Sequence, residues 1–172
     1  ISIELRPNII NLRQRIGDFE ADTLGVPRAS EGTLAGVVDR KSRYFDARKI
    51  RKLGQAIDSF KTMSDSLRVL SFTFDNGVEN VHHDQLEIPT YFCNPYSSWE
   101  KGSMENTFQR FRRFVPKKAL MQNYSDRDIT DICDIMNHTP RKCLGWRTPQ
   151  EVFNERHTQP TNALQFIKKI IQ

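Results

Sequence analysis

The spacing of apolar and polar positions along this chain changes several times, and each change marks an element. In "DFEADTLGV" (Asp18–Val26) a period of two predicts a strand with Asp18, Glu20 and Asp22 on one face. "TLAGVVDRKSRYFDARKI" (Thr33–Ile50) predicts a hairpin. Val37 and Val38 precede a polar turn at Asp39–Ser42, and Tyr44 and Phe45 start the return strand. Ile57, Phe60, Met63 and Leu67 then recur at helical spacing. "RVLSFTF" predicts a fourth strand that stops at Asp75, where Asn76-Gly77 breaks it. "TYFCNPYS" (Thr90–Ser97) predicts a short fifth strand running into a loop at Pro95.

Beyond that point the pattern is helical. Gly102-Ser103 predicts a helix start with Ser103 as N-cap. Met104, Phe108, Phe111 and Val115 form its apolar stripe, and Pro116 ends it. A second helix is predicted from about Asp126 to Asn137, with Ile129, Ile132, Cys133 and Met136 inward. A third, short one begins near Thr148-Pro149, where proline suits the first turn. Trp146 is assigned to the core. Strands, a helical crossover and further helices predict a mixed α/β sheet flanked by helices. Residues 1–16 read as a leading segment, 17–157 as one domain and 158–172 as an amphipathic tail.

A chain of 172 residues suffices for one domain with a real core. Its 37% hydrophobic and 27% charged residues are a globular mixture. No apolar run approaches the ~20 residues that span a bilayer, and no signal peptide is visible. The first residue is Ile1, not Met, which raises the expectation of a piece of a longer protein. Cys93, Cys133 and Cys143 form no CxxC pair and fit a reducing cytosol. With His82, His83 and His138 they raise the question of zinc, but their spacings match no standard zinc signature.

The formal charge is +5, and its distribution matters more than its size. Lys101, Arg110, Arg112, Arg113, Lys117 and Lys118 fall within one short segment whose only acid is Glu105. Such a patch suits a polyanion, a solvated helix face being the plainer alternative.

Three acids are unusually placed: Asp22 within a strand, Asp75 at a strand end and Glu105 in the first turn of a helix. Carboxylates brought together repel, and a divalent cation can neutralise them. Magnesium prefers such oxygen ligands. Each acid also has an ordinary explanation. Asp75 could open a turn, Glu105 could complement a helix dipole, and Asp22 could be an exposed strand residue.

The motifs "GDFEADTLG", "VVDRKSRYF", "FTFDNGVEN", "NPYSSWEKGSMENTFQRFRRFVPK" and "NHTPRKCLGWRTPQEVF" occur in this order. Together they resemble bacterial insertion-sequence transposases of the IS-thirty family, within the DDE transposase and retroviral integrase superfamily. The resemblance runs from about Gly17 to Phe153. It implies a ribonuclease-H-like fold with a mixed five-stranded sheet flanked by helices. It implies a catalytic and metal-binding triad of Asp22, Asp75 and Glu105, holding two Mg²⁺ or Mn²⁺ ions, with Asp18 and Asp39 not ligands. The Asp75–Glu105 step is 30 positions, slightly shorter than the family's usual interval, so "HHDQLEIPTYF" looks like a shortened loop.

In that family the enzyme cuts DNA at the element's ends and joins those ends to target DNA. Lys101, Arg110, Arg113, Lys117, Lys118, Arg141 and Lys142 are then the candidate phosphate contacts. Trp99 is a candidate for base stacking or packing. The expected setting is the bacterial cytoplasm, on the nucleoid, with no membrane. Joining two ends implies at least a homodimer. The family's usual N-terminal helix-turn-helix region has no counterpart in these residues. Two alternatives remain open at this point: a transposase-derived DNA-binding module without chemistry, and a ribonuclease acting on RNA–DNA hybrids.

Overall fold

The structure is a computed structural model that describes residues 1–75, 83–94 and 98–157. Five strands form one sheet: β1 (Asp18–Leu24), β2 (Thr33–Asp39), β3 (Phe45–Ile50), β4 (Ser71–Phe74) and β5 (Thr90–Phe92). Their spatial order is β3-β2-β1-β4-β5. The first three strands are antiparallel, as two hairpin connections require, whereas β4 and β5 run parallel to β1. Between β3 and β4 the chain crosses over through α2 (Ala56–Leu67), which closes with Arg68 in the left-handed region at φ 50°.

Alternation along β1 decides what lies on each side of the sheet. Phe19 and Ala21 face the layer made by α2, where Phe60 packs against Phe72 and Phe74 with ring centroids 6.1 and 5.4 Å away. The opposite face carries Asp18, Glu20, Asp22 and Leu24, and is covered by α3 (Gly102–Phe111) and α4 (Asp126–Asn137). Met104 and Phe111 of α3 meet Ile129, Ile132, Cys133 and Met136 of α4 there, over Leu34, Val38 and Phe45. α4 begins at a capping box in which Ser125 and Asp128 satisfy each other's backbone N–H groups. Thr148 and Glu151 do the same for α5 (Pro149–Asn154), which opens on its proline.

Gly36 lets α3 lie close to the sheet. A Cβ there would sit 3.0 Å from the Phe108 ring and 3.1 Å from that of Phe45. The leading segment is packed, not detached. Its first turn of helix, α1 (Asn8–Asn11), buries Ile10, and Ser2 bridges Phe92 at the edge of the sheet.

Three sequence expectations need correction. Ser103 is not the N-cap of α3: Lys101 holds that position, and Ser103 is buried inside the helix. α3 ends at Phe111, not at Pro116, and the chain reaches Val115 through turns. Trp146 is 70% exposed with φ 66°, so its ring is outside the core. It sits in the turn after Gly145 with a left-handed backbone, and the apolar bulk of the side chain alone does not bury it there. The amphipathic tail predicted over Asn162–Gln172, the Asn76-Gly77 break and His82 lie outside the described residues, as does the side chain of Trp99.

Candidate active site

The parallel β1–β4 ladder aligns Asp18 with Ser71, Phe19 with Phe72 and Glu20 with Thr73. Two residues further, the same register sets Asp22 beside Asp75 on the α3 face. Only Ser71–Phe74 is paired as β4, so Asp75 is the first residue past the strand. The period of two puts each acid on this face, and the parallel pairing of β1 with β4, 53 positions apart, brings the two together.

Lys101, at the start of α3, joins them. Its ammonium lies 2.8 Å from Asp22 Oδ2 and 3.1 Å from Asp75 Oδ2. Two oxygens so placed are at most about 6 Å apart, and sharing one Mg²⁺ would draw them to within about 4.2 Å. Burial pushes the Asp22 carboxyl upward from its ordinary range, Lys101 pulls it back and Asp75 adds to the rise. For Lys101 burial acts downward, but the two aspartates outweigh it and the ammonium is held above its usual value. The site therefore carries a fixed positive charge between two carboxylates.

The supporting residues explain why Lys101 reaches that point. Glu100 accepts hydrogen bonds from the Asn94 backbone at 2.7 Å and its side chain at 3.3 Å, tying the approach to α3 to the exit of β5. Glu20 accepts from the Met104 N–H at 2.8 Å, so a β1 carboxylate satisfies one of the first donors of α3. Glu20 is fully buried, and Arg40 balances its charge from the end of β2. Asp18 is likewise structural. It receives both Arg15 Nε and Arg15 Nη2 at 2.8 and 2.9 Å, and the Ser71 hydroxyl at 2.6 Å. Asp39 accepts from Gly17, Ser42 and Lys41 and organises the β2–β3 turn.

Glu105 lies one residue past Met104 in α3 and is exposed. Among the described residues no three His, Cys, Asp or Glu side chains form a cluster fit to hold a metal ion. The structure thus brings Asp22 and Asp75 together and leaves Glu105 on the adjoining flank of α3. Two oxygen donors that share one ammonium are of the type a hard divalent ion takes, and Glu105 lies four positions after the lysine that bridges them. The residues that sequence reasoning underrated are Lys101 and Glu20. The signal for Glu20 was its place on the same strand face as Asp22. Lys101 was marked only as a phosphate contact of the basic segment, since a lysine before a helix looks like any surface cation.

The other basic candidates divide by exposure. Arg110, Arg113, Lys117, Lys118 and Lys142 are exposed. Lys101 and Arg141, grouped with them from sequence, are buried here. Lys101 is engaged by the two aspartates, and Arg141 donates to the Met136 carbonyl at 2.9 Å.

A central parallel pair flanked by an antiparallel hairpin and an edge strand, with one acid inside β1 beside another just past the end of β4, defines a ribonuclease-H-like core. No family model matches the chain. It is 36% identical over 167 residues to the transposase for insertion sequence element IS4351 of Bacteroides fragilis, covering 90% of this chain and 50% of that protein. It is 33% identical over 160 residues to transposase InsI for insertion sequence element IS30C of Escherichia coli K12, covering 87% of this chain and 41% of the relative. The transposase for insertion sequence element IS1086 of Cupriavidus metallidurans is 32% identical over 175 residues, covering 95% of this chain and 51% of the relative. Over most of its length the chain belongs to the IS30-type insertion-sequence transposases. It spans about half the length of these relatives, or less. Among the described residues no helix is long and apolar enough to cross a membrane.

Proposed function

We propose that this chain is the catalytic core of a DNA transposase that cuts phosphodiester bonds at element ends and joins the freed 3′-hydroxyls to target DNA. The observation that supports this most is the sharing of the Lys101 ammonium by Asp22 in β1 and Asp75 just past the end of the adjacent parallel strand β4. In this reading Asp22 and Asp75 are the principal holders of Mg²⁺ or Mn²⁺, and Glu105 completes the set from α3. Bound divalent ions, two per site, would activate the attacking oxygen and stabilise the leaving one. The protein's own part is to fix the two aspartates on the sheet, to keep their charges compensated through Lys101, and to present Glu105 on a helix anchored by Glu20. Exposed Arg110, Arg113, Lys117, Lys118 and Lys142 would lead the DNA backbone toward the aspartates without reading sequence. Two element ends must be handled together, so the whole protein would act as a dimer or larger assembly, on DNA in the cytoplasm.

One observation favours a second reading. Glu105 stands apart and an ammonium already occupies the aspartate pair, as in a module that binds DNA without chemistry. Nicking of supercoiled DNA by the purified chain in Mn²⁺ or Mg²⁺ separates the two. The catalytic reading expects metal-dependent nicking that is lost in Asp75→Asn, with DNA binding retained. Binding without metal-dependent nicking in the wild type would select the second reading. Cleavage confined to RNA–DNA hybrids would point to a ribonuclease.

A further inference from the structure

On the flank of α3 away from Glu105 lies a cleft of about 370 Å³. It is lined by Arg13, Arg43, Arg110 and Arg141, by the polar α3 residues Ser103, Asn106 and Thr107, and by Cys143. Helical spacing accounts for the division. Ser103, Asn106, Thr107 and Arg110 are three, four and seven positions apart and share one flank, while Met104, Phe108 and Phe111 take the core side. The other three arginines come from distant parts of the chain: the end of the leading segment, the β2–β3 turn and the segment after α4.

No acid lines this cleft. Among the described residues none of its four arginines forms a salt bridge with a carboxylate. Arg141 is buried, and Arg110 and Arg113 add their repulsion to the burial that holds its pKa below the usual guanidinium value. Arg13 and Arg43 sit at φ 54° and 64°, a left-handed backbone in which glycine would be relaxed and an arginine is not. Arg43 is held in place by donating to the Ser103 hydroxyl. Four arginines lining one concave, acid-free site favour an anionic ligand there. Guanidinium forks match phosphate oxygens in both shape and charge.

We infer that this cleft is a phosphate-binding site that takes a backbone phosphate of a DNA strand lying along α3, on the side opposite Glu105. The choice of DNA as the phosphate source rests on the function proposed above; the anion site itself does not. It adds Arg13 and Arg43 to the DNA-facing residues, and it differs from the open patch of Arg113, Lys117 and Lys118 in being a pocket.

Cys143 is the built-in reporter. It lines the cleft and is exposed, whereas Cys93 and Cys133 are buried, so alkylation of the folded chain reads Cys143. The measured quantity is the ratio of its alkylation rates with anionic iodoacetate and neutral iodoacetamide. In the wild type this ratio should exceed that of an Arg13→Gln/Arg110→Gln double variant by roughly threefold to tenfold, as expected for two charges removed a few ångströms away in water. Pyrophosphate should lower the wild-type ratio more than sodium chloride at equal ionic strength, and a DNA duplex should slow both reagents. All of this should hold equally in Asp75→Asn, which tests the cleft separately from the chemistry. A ratio unchanged in the double variant would overturn the anion site. Protection by pyrophosphate but not by DNA would overturn the assignment to a DNA strand.

Discussion

The Lys101 ammonium stands 2.8 Å from Asp22 Oδ2 in a site where the lysine side chain is only 8% exposed. It also reaches Asp75, so one charge compensates two neighbouring carboxylates. Replacing Lys101 by Met should therefore leave two acids facing each other without a cation. The expected loss is about 2 kcal/mol, below the 3–5 typical of a fully buried pair because Asp75 is 44% exposed. Mg²⁺ should then raise the melting temperature of Lys101→Met more than that of the wild type, since the ion and the ammonium compete for one position. Equal shifts in the two proteins would show that they do not share it.

Asp18 and Asp22 lie on the same strand face but have different partners. Asp18 holds Arg15 and Ser71 in the fold. Asp18→Asn should lower stability by about 1–3 kcal/mol, the cost of weakening a charged, buried hydrogen-bond set, while the folded fraction keeps most of its metal-dependent nicking. Asp22→Asn should show the reverse, with nicking abolished and the urea midpoint little changed. An inactive Asp18→Asn beside an active Asp22→Asn would exchange their roles.

Glu20 and Arg40 form the buried pair beneath α3. Arg40→Met should cost about 3–5 kcal/mol by stranding the Glu20 carboxylate. Glu20→Gln should cost less, because its amide oxygen still accepts one of the two hydrogen bonds that the carboxylate takes from Arg40 and Met104. Chemical denaturation of the two variants gives the order, and a milder effect from Arg40→Met would contradict it.

Alkali tests the α4 layer. Burial pushes the Cys133 thiol up from 9.0 to about 12, and Asp46 adds to the rise. Burial likewise raises Cys93 to about 11. The folded thiols stay protonated where unfolded ones ionise, so their contribution is complete below pH 9 and is lost as pH climbs toward 11 and 12. The wild-type urea midpoint should fall steadily above pH 9, and Cys133→Ala should start lower but fall less steeply. Parallel curves would remove Cys133 from the explanation.

Much of this was legible in the sequence because it is local. Period-two spacing put Asp18, Glu20 and Asp22 on one face, and the apolar stripe of α4 came out residue for residue, with Ile129, Ile132, Cys133 and Met136 all buried. Asp75 at a strand end was visible for the same reason. The parts that stayed hidden depend on contacts between distant segments. Nothing within its neighbourhood tells that Lys101 turns inward, since the acids that hold it come from β1 and from the end of β4. The cap of α3 was misassigned to Ser103 because the Met104 N–H finds its acceptor in Glu20, 84 positions from Met104. The arginine cleft draws on four separate stretches, and the linear charge pattern showed only the one from Lys101 to Lys118.

In the proposed catalytic core Asp22 and Asp75 hold a divalent cation. Binding of Mn²⁺ followed by electron paramagnetic resonance tests it without requiring DNA or turnover. The wild type and Lys101→Met should both remove Mn²⁺ from the free signal saturably, Lys101→Met more tightly, while Asp22→Asn and Asp75→Asn should bind it at least tenfold more weakly, about 1.4 kcal/mol or more. Mn²⁺ bound equally well by the wild type and both aspartate variants would place the metal elsewhere and contradict the account.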